Sequence, residues 1–455
     1  MSMISPAPMK PLVARFVLVA AMALSVTGLP AAPQLEPPVP DSLDLKTAIG
    51  FALENNFTIR QARERIRQQE GVEIQVRARL IPNVSASGSY TGNAQEISSY
   101  SPPSSNSWGI SLQARQVLYA GGGVTASVKS AQLAREAAMF ELEGIINQQL
   151  LEVRTQFYTV LLAREKIKVQ EENVKLFEQQ MKDARSRFDA GTTSNFEVLR
   201  AEVALANGQP PLIQARNDYR IAIEQLRQVM GFSTNYGPNA TKVPEFVGAL
   251  EVGQPASYQL TDALAAAQAN RPELQRLARL ENAGEQTVKA NRAGYLPEID
   301  LVGSYNWVRS PYLSAAWNDR REGWIAGFQA QWNIFDGRAT AGRVIQARSQ
   351  LAQAKLTLAE ATLSIEVQVR QAYSSLIEAW ELVQASVKTV EQAQEALRLA
   401  NVRYGAGTAT QLDVLTSQVA LTEARLNQLQ AYYGYNVALV AIRQAMGLAD
   451  EYVKS

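Results

Sequence analysis

The sequence contains neither cysteine nor histidine in its 455 residues. Without cysteine the chain can form no disulfide, can use no thiol chemistry and cannot carry a lipid attached through that residue. Without histidine it lacks the commonest metal ligand and a frequent general acid or base. We therefore expect no cofactor and no metal site. We also expect no enzymatic activity, because the acidic residues are spread along the predicted helices and no Gly-rich phosphate loop follows a strand.

A strong charge of either sign is also absent. The 44 Lys and Arg residues nearly balance the 43 Asp and Glu residues, so that the formal net charge is +1. A nucleic-acid partner would require a basic excess, and we expect no such partner.

Long apolar runs are missing except near the amino terminus, where Phe16–Val26 follows Lys10 and Arg15. This run is too short to span a bilayer comfortably, and small residues follow it as far as Ala32. The pattern predicts a secretory signal peptide over residues 1–32, cleaved between 28 and 32. A disordered amino-terminal tail is the alternative interpretation.

A long stretch without proline organises the rest of the chain. Residues 124–190 contain one isolated glycine, and an apolar residue recurs there at every seventh position. Such spacing predicts a long helix with a left-handed coiled-coil seam. The apolar positions are Met139, Ile146, Val153, Val160, Ile167, Val174, Met181 and Phe188.

The segment after this helix occurs twice. RFDAGTTSNFEVL at 187–199 is repeated as RYGAGTATQLDVL at 403–415, with Gly407 standing 216 positions after Gly191 (407 − 191). The apolar seam is repeated at the same offset, which predicts a tandem duplication of one helical-hairpin unit. We place the first repeat at 43–231, a linker at 232–258, the second repeat at 259–447 and a tail at 448–455.

Each repeat follows the same predicted order of helix, two strands, long helix and return helix. In the first repeat these elements lie at 43–80, 83–92, 108–119, 124–190 and 195–230. In the second they lie at 260–296, 298–308, 324–335, 338–406 and 411–446. Because proline inside a helix costs about 3 kcal/mol, we also expect a kink or break near Gly208 in Asn207–Pro211, in the first repeat only.

The predicted strands alternate between apolar and polar residues over about ten positions, which is typical of transmembrane β-barrel strands. Aromatic residues cluster in them and suit a belt at the membrane interface. These aromatics are Tyr90, Trp108, Tyr305, Trp307, Trp324 and Trp332. A soluble sheet with one face on a core would alternate in the same way.

Four strands cannot close a barrel, and an open edge is not tolerated in lipid. The chain must therefore oligomerise if these strands enter a membrane. Two copies would supply eight strands around a filled interior, whereas three would supply twelve strands and leave room for a passage.

The paired turns, the two Leu/Ile-Pro junctions between helix and strand, and the duplicated layout resemble the TolC-like outer-membrane efflux protein family. The resemblance covers residues 43–447. It implies a mainly α fold with a membrane β-barrel portion, in which a homotrimer builds a shared twelve-stranded barrel and an α-barrel tunnel of antiparallel coiled coils across the periplasm. It further implies an exit duct in the outer membrane that works with an inner-membrane transporter and a periplasmic adaptor.

The family places a pore constriction at the second turn. By resemblance Asp413 lies at an acidic ring position, Glu197 is its counterpart in the first repeat, and Tyr404 matches an aromatic residue of the gate. The chain departs from the family at Thr416, where an acid is expected, and at Ala409, where an arginine is expected. Asp413 and Glu197 are also acids in the first turn of a helix, where they favour the helix dipole.

The resemblance also assigns the two turns to adaptor contact. The residues concerned are Arg187, Gly191, Thr192, Arg403, Gly407 and Thr408. Two alternatives stay open, namely plain hairpin turns without a partner and a periplasmic coiled-coil adaptor or tether without a pore. The tether would explain the helices and the signal peptide but leaves two aromatic strand pairs without a role. The cargo is not readable from the chain.

Overall fold

The computed structural model describes residues 42–92, 106–232, 244–309 and 320–448. The segment predicted as a signal peptide and the carboxy-terminal tail from 449 lie outside these residues. Among the helices that the structure describes, none is long and apolar enough to cross a membrane.

Both halves of the chain fold in the same order of elements. The first half contains β1 (Ser42–Leu43), α1 (Leu45–Asn55), α2 (Phe57–Arg77), β2 (Asn83–Gly92), β3 (Asn106–Ala120), α3 (Gly123–Asp189) and α4 (Asn195–Met230). The second half contains β4 (Glu245–Phe246), α5 (Leu260–Asn270), α6 (Pro272–Arg292), β5 (Glu298–Arg309), β6 (Arg321–Gln331), α7 (Ala339–Gly405) and α8 (Gln411–Ala445).

The four longer strands form one antiparallel sheet in the order β2-β3-β5-β6. The two halves meet between β3 and β5, where Leu112 lies opposite Tyr305 and Gln113 opposite Ser304. The register shifts between Val117 and Tyr119, so that Leu118 forms a bulge. Within a single chain β2 and β6 are the two edges of this sheet.

The middle of each long helix provides the hydrophobic core. Val153 and Val160 of α3 are fully buried against α1 and α4, and Val369 and Leu376 of α7 hold the same place in the second half. Met139 and Phe188, near the two ends of the seam in α3, are exposed in the single chain. The heptad pattern thus correctly located the buried stripe, and it left both ends of the stripe available to other surfaces.

The single helix expected at 43–80 is in fact two helices followed by a 3-10 turn, and the helix expected at 260–296 is divided in the same way. Asn56 breaks the first because its backbone is extended and its Oδ1 accepts the Ile59 N–H at 3.1 Å. Arg271 breaks the second because it precedes a proline, Pro272, which disfavours helical geometry.

Both breaks are joined to the end of the return helix of their own half. Asn56 Nδ2 donates to Val229 O at 2.6 Å, and Arg271 Nη1 donates to Gln444 O at 3.2 Å. Asn56 Nδ2 also donates to Gln149 Oε1 at 2.9 Å, which adds the long helix to the joint. Each half therefore fixes its two short helices together beside the continuous helix.

Each return helix ends in a Met-Gly pair, and the joint described above requires glycine at this position. Gly231 has φ of 80°, and a Cβ at this position would lie 2.5 Å from the carbonyl oxygen of Asn55. Gly447 has φ of 69°, and its Cβ would lie 2.9 Å from the backbone nitrogen of Arg271. Positive φ and the close backbone approach both exclude a side chain.

The last strand is shorter than the 324–335 expected from its alternation, because β6 ends at Gln331. Trp332 follows the strand and donates from Nε1 to Tyr295 O at 3.1 Å. Ile334 and Phe335 are both 83% exposed. Tyr119, the counterpart of Phe335 at the end of β3, pairs with Ile299 of β5, whereas the described residues provide no strand on that side of β6.

Of the kink or break expected near Gly208, the break does not occur, since α4 runs without interruption through Pro210 and Pro211. Gly208 is buried against Phe177, and a Cβ there would lie 2.8 Å from the Phe177 Cδ2. Glycine thus lets the two helices approach closely at the point where the prolines interrupt the hydrogen bonding of α4.

Part of the predicted linker packs on the helices. Phe246 of β4 is buried in the core of the first half, and β4 pairs with β1 in parallel. Arg164 of α3 fixes the segment by donating from Nη1 to Phe246 O at 2.7 Å and from Nη2 to Gly248 O at 2.6 Å.

We expect Gly231→Ala to lower stability by about 1–3 kcal/mol, since alanine at positive φ is strained and its Cβ meets backbone. Gly71→Ala is the matched control, because Gly71 lies inside α2 with nothing within 4 Å of the added carbon. Alanine there should be neutral or slightly stabilising. Thermal unfolding followed by circular dichroism checks both variants, and equal midpoints would contradict the prediction.

Candidate functional site: the paired helix turns and the aromatic sheet

The two turns have the same geometry. Gly191 and Gly407 both have φ of 74°, and no atom lies near enough to exclude a side chain. The following threonine closes each turn, since Thr192 N donates to Arg187 O at 2.9 Å and Thr408 N donates to Arg403 O at 2.9 Å. Glycine is needed here for its backbone conformation alone, as in the usual carboxy-terminal cap of a helix.

The two turns of one chain are in contact through a cation–π interaction. The guanidinium carbon of Arg187 lies 4.6 Å from the centre of the Tyr404 ring. The family resemblance predicts an arginine near Tyr404 at position 409, where Ala409 stands. The structure supplies a cation to this ring from the other half of the chain instead.

Glu197 is held by its surroundings. Arg200 Nη1 lies 3.1 Å from Glu197 Oε2, and both side chains are partly buried. In the amide orientation that satisfies both groups, Gln411 donates to Glu197 Oε2 at 2.7 Å. Glu197 is therefore neutralised locally and links α4 to α8.

Asp413 has a different environment, although it is the counterpart of Glu197. It is exposed, and it forms a reciprocal capping box in which Thr410 N donates to Asp413 Oδ2 at 2.8 Å and Asp413 N donates to Thr410 Oγ1 at 3.3 Å. The bond from the Thr410 backbone, followed by that from its hydroxyl, holds the pKa of Asp413 below its ordinary value. Asp413 is thus an acid in the first turn of a helix, and its carboxylate remains charged and open to solvent.

Thr416 lies one turn further along α8 and is also exposed. Its Oγ1 donates to Leu412 O at 2.8 Å, so the hydroxyl hydrogen is used within the helix. Asp413 and Thr416 therefore share one exposed face of α8, as the constriction hypothesis requires. Glu197 and Tyr404 are partly covered instead by contacts between the two halves.

A buried amide network joins the halves further along the helices. Gln418 of α8 is 1% exposed, and its Nε2 donates to Asn173 Oδ1 at 3.1 Å and to Asn173 O at 3.2 Å. Gln180 Nε2 donates to Gln418 Oε1 at 2.5 Å, and Thr422 Oγ1 donates to Asn173 Oδ1 at 3.1 Å. Sequence reasoning missed this network because polar residues in an amphipathic helix ordinarily face solvent.

A groove of about 650 Å³ lies beside this network between α4 and α8, with α3 as its floor. Leu412, Thr416 and Val419 line it from α8, and Asn207, Gly208 and Pro211 line it from α4. The first turn of α8 that carries Asp413 therefore also borders the groove.

The sheet has one aromatic and one polar face, as its register shows. Tyr90 lies opposite Trp108, and Tyr305 lies between Leu112 and Trp324 on the same face. The rings of Trp307 and Tyr305 are in contact and tilted by 51°, with ring centres 4.5 Å apart. Of the six aromatics selected from the sequence, Trp332 alone lies beyond a strand. Trp324 and Phe328 are 75% and 76% exposed.

The opposite face is polar and ends in a charged cluster. Gln113, Ser304 and Ile325 follow one another across this face, and Ile325, Val302 and Val308 are its apolar exceptions. Near the helices, Arg115 Nε donates to Asp300 Oδ2 at 2.9 Å, and Asp300 is almost fully buried. The alternation of apolar and polar residues predicted from the sequence therefore corresponds to the two faces of the sheet.

The comparisons with known proteins agree with this architecture. The family described as "Outer membrane efflux protein" matches residues 48–232 and 263–448, one match in each half. The outer membrane efflux protein BepC of Brucella suis is 25% identical over 410 residues, which cover 89% of this chain and 85% of BepC. The outer membrane protein TolC of Escherichia coli is 25% identical over 66% of this chain and 62% of TolC.

The fold also resembles a solved structure of CusC. The TM-score is 0.77 at 17% identity, and the match covers 92% of this chain and 98% of CusC. This likeness confirms the fold class expected from the sequence, including the tandem duplication. Since the family matches both halves and most of the chain, this protein belongs to the outer membrane efflux protein family.

Proposed function

We propose that the chain is the outer-membrane exit duct of a tripartite efflux or type I secretion system, and that three copies form one passive conduit. The observation that supports this most directly is the four-stranded sheet, which has one aromatic exposed face and two unpaired edges. Unpaired backbone groups cannot face lipid, so β2 of one copy has to meet β6 of another.

The helices leave free flanks on the same two sides. On the sheet side of the breaks at Asn56 and Arg271, the helices pack side by side in the order α2, α3, α6, α7. On the other side of these breaks the order is α4, α3, α8, α7. The flanks are thus α2 and α4 on the side of β2, and α7 on the side of β6. Heterologous contacts of this kind close into a ring when the rotation permits. Three copies would close twelve strands and leave room for a passage.

The pump and the adaptor are the proposed partners of this conduit. The two turns carry exposed residues with identical backbone geometry, and they lie at the ends of the long helices that are remote from the sheet. We assign adaptor contact to them, with Arg403, Gly407 and Thr408 more open than Arg187, which is engaged by Tyr404. A tether without a pore would leave the aromatic face and both strand edges without a partner.

Fractionation tests the conduit directly. We expect the mature protein to sediment with outer membranes, to require detergent, and to form a trimer that conducts ions in planar bilayers. Recovery as a soluble monomer without conductance would support the tether instead.

Asp413→Asn should reduce the preference of the channel for cations, because a ring of exposed carboxylates around a narrow pore attracts them. The matched control is Glu197→Gln, which removes a carboxylate already neutralised by Arg200 and should change selectivity little. Reversal potentials under a salt gradient measure both. Equal effects of the two variants on cation selectivity would contradict the placement of Asp413 at the pore constriction.

The proposed ring of Asp413 carboxylates also predicts how the cation selectivity changes with pH. Because the pKa of Asp413 lies below its ordinary value, the carboxylate stays charged and selectivity should be constant from neutral pH down to about pH 5. It should fall only as the pH drops below the ordinary aspartate pKa of about 3.9. Selectivity that is already lost near pH 6 would point to a different group.

A further inference from the structure

We propose that the groove between α4 and α8 binds organic cations that carry a protonated nitrogen on an apolar body. The groove lies within one chain, so the site itself needs no second copy. The role of such cations as cargo of the conduit rests on the proposed function. The groove volume of about 650 Å³ lies within the roughly 300–1,000 Å³ of sites for drug-sized ligands.

The walls of the groove supply the apolar part of this site. Leu412 and Val419 line it from α8, and they are 52% and 45% exposed. Phe177 of α3 forms part of the floor, and Pro211 of α4 lines the opposite wall. Apolar side chains that are left exposed in a concave surface favour a ligand that removes them from water.

The carboxylate of Glu423 is the single charged group among the described residues that line the groove. It lies in one stripe of α8 with Val419, four residues before it, and Leu426, three residues after it. It forms no ion pair in the part of the chain that the structure describes, and Arg425 is engaged instead by Glu172 at 2.7 Å. An unpaired carboxylate beside apolar side chains favours a positively charged ligand with an N–H donor.

Two amides on the floor of the groove have unused hydrogen-bonding groups. Gln170 of α3 is 8% exposed, and its side chain has no hydrogen-bond partner among the described residues. Asn173 accepts at Oδ1 from Gln418 and Thr422, but its Nδ2 has no acceptor within the same residues. A nearly buried amide without a partner costs free energy. The free Gln170 Oε1 can accept an N–H from a ligand, and the two amide nitrogens can donate to it.

These features together select one class of ligand. The walls fit an apolar body, Glu423 fits a protonated nitrogen, and the amides fit further polar atoms. An anion of the same size would meet the Glu423 carboxylate, and the described lining contains no arginine or lysine to compensate it. Thr416, which shares an exposed face of α8 with Asp413, borders the groove. A cation attracted to the proposed constriction therefore meets this site beside it.

Rhodamine 6G is a suitable probe, because it is a fluorescent organic cation with an apolar ring system and two N–H groups. We expect the detergent-solubilised full-length protein to bind it with a Kd in the micromolar range, measured by fluorescence anisotropy against protein-free micelles. Fluorescein, an anionic dye with a related ring system, is the matched probe and should bind at least about tenfold more weakly. Equal affinity for the two dyes, or no binding of rhodamine 6G, would overturn the proposal.

Glu423→Gln should weaken the binding of rhodamine 6G about five- to tenfold, because it removes the charge and retains the shape of the side chain. The matched control is Glu202→Gln, since Glu202 is an exposed acid of α4 that does not line the groove. It should change the Kd by less than about twofold, because solvent screens an exposed charge. An equal loss of affinity in the two variants would contradict the site.

Ala420→Trp should abolish the binding of rhodamine 6G. Ala420 lines the groove from an exposed position of α8, so a large side chain there fills the space of the ligand without entering the core. Circular dichroism checks that the variant is folded. Retention of the wild-type affinity by this folded variant would place the dye elsewhere and overturn the proposal.

Gln170→Met distinguishes an amide that serves a ligand from an amide that serves the fold. Methionine has a similar length and removes an unpaired polar group, so the midpoint of thermal unfolding should stay unchanged or rise. The affinity for rhodamine 6G should fall about threefold, because one hydrogen bond to the ligand is lost. A lowered midpoint, or an unchanged affinity, would contradict the assignment of Gln170 to the site.

Single-channel recording separates the binding site from the proposed conduit. Rhodamine 6G should reduce the conductance at concentrations near its Kd, and Glu423→Gln should raise the concentration required about five- to tenfold. A protein that binds the dye in detergent but forms no channel supports the site and contradicts the conduit. A protein that conducts ions but does not bind the dye overturns the site and leaves the conduit intact.

Discussion

The unpaired edges of β2 and β6 are the constraint on which the rest of the molecule depends. Each buried backbone group without a partner in a hydrocarbon environment costs several kcal/mol, and one strand edge presents a row of such groups. No substitution of side chains removes this cost. The aromatic face, the outward flanks of α2, α4 and α7, and the shortened β6 all fit the proposed assembly, in which neighbouring copies pair with both edges.

Much of this fold could be predicted from the sequence, because its signals are periodic. Heptads located α3 and α7, alternation located the strands, and glycine located both turns, where the structure finds positive φ at Gly191 and Gly407. Local breaks were harder to predict. In the sequence, Asn56 resembles any polar residue of a helix. In the structure its amide binds the far end of α4, and no local sequence pattern predicts this contact.

The end of β6 and the path of α4 show two further limits. Alternation continues through Trp332 and Ile334, but strand formation needs a partner strand, and the described residues of one chain provide none there. Proline at 210 and 211 argued for a break by its local cost, and the packing of Gly208 on Phe177 overrode it. At the turns, resemblance indicated Asp413 and Glu197 as equivalents, and only the contacts of Arg200 and Thr410 distinguish a neutralised acid from an open one.

The two prolines of α4 also make the halves chemically unequal. Proline has no N–H, so the carbonyl oxygens four residues earlier, those of Ala206 and Asn207, lose their acceptor role in the helix. Asn207 borders the groove between α4 and α8, and ordered water is the donor available to such oxygens in an open, partly polar space. The second half has no proline in α8. Only one of the two return helices of each subunit therefore lacks these two backbone hydrogen bonds, and the two hairpins should differ in flexibility.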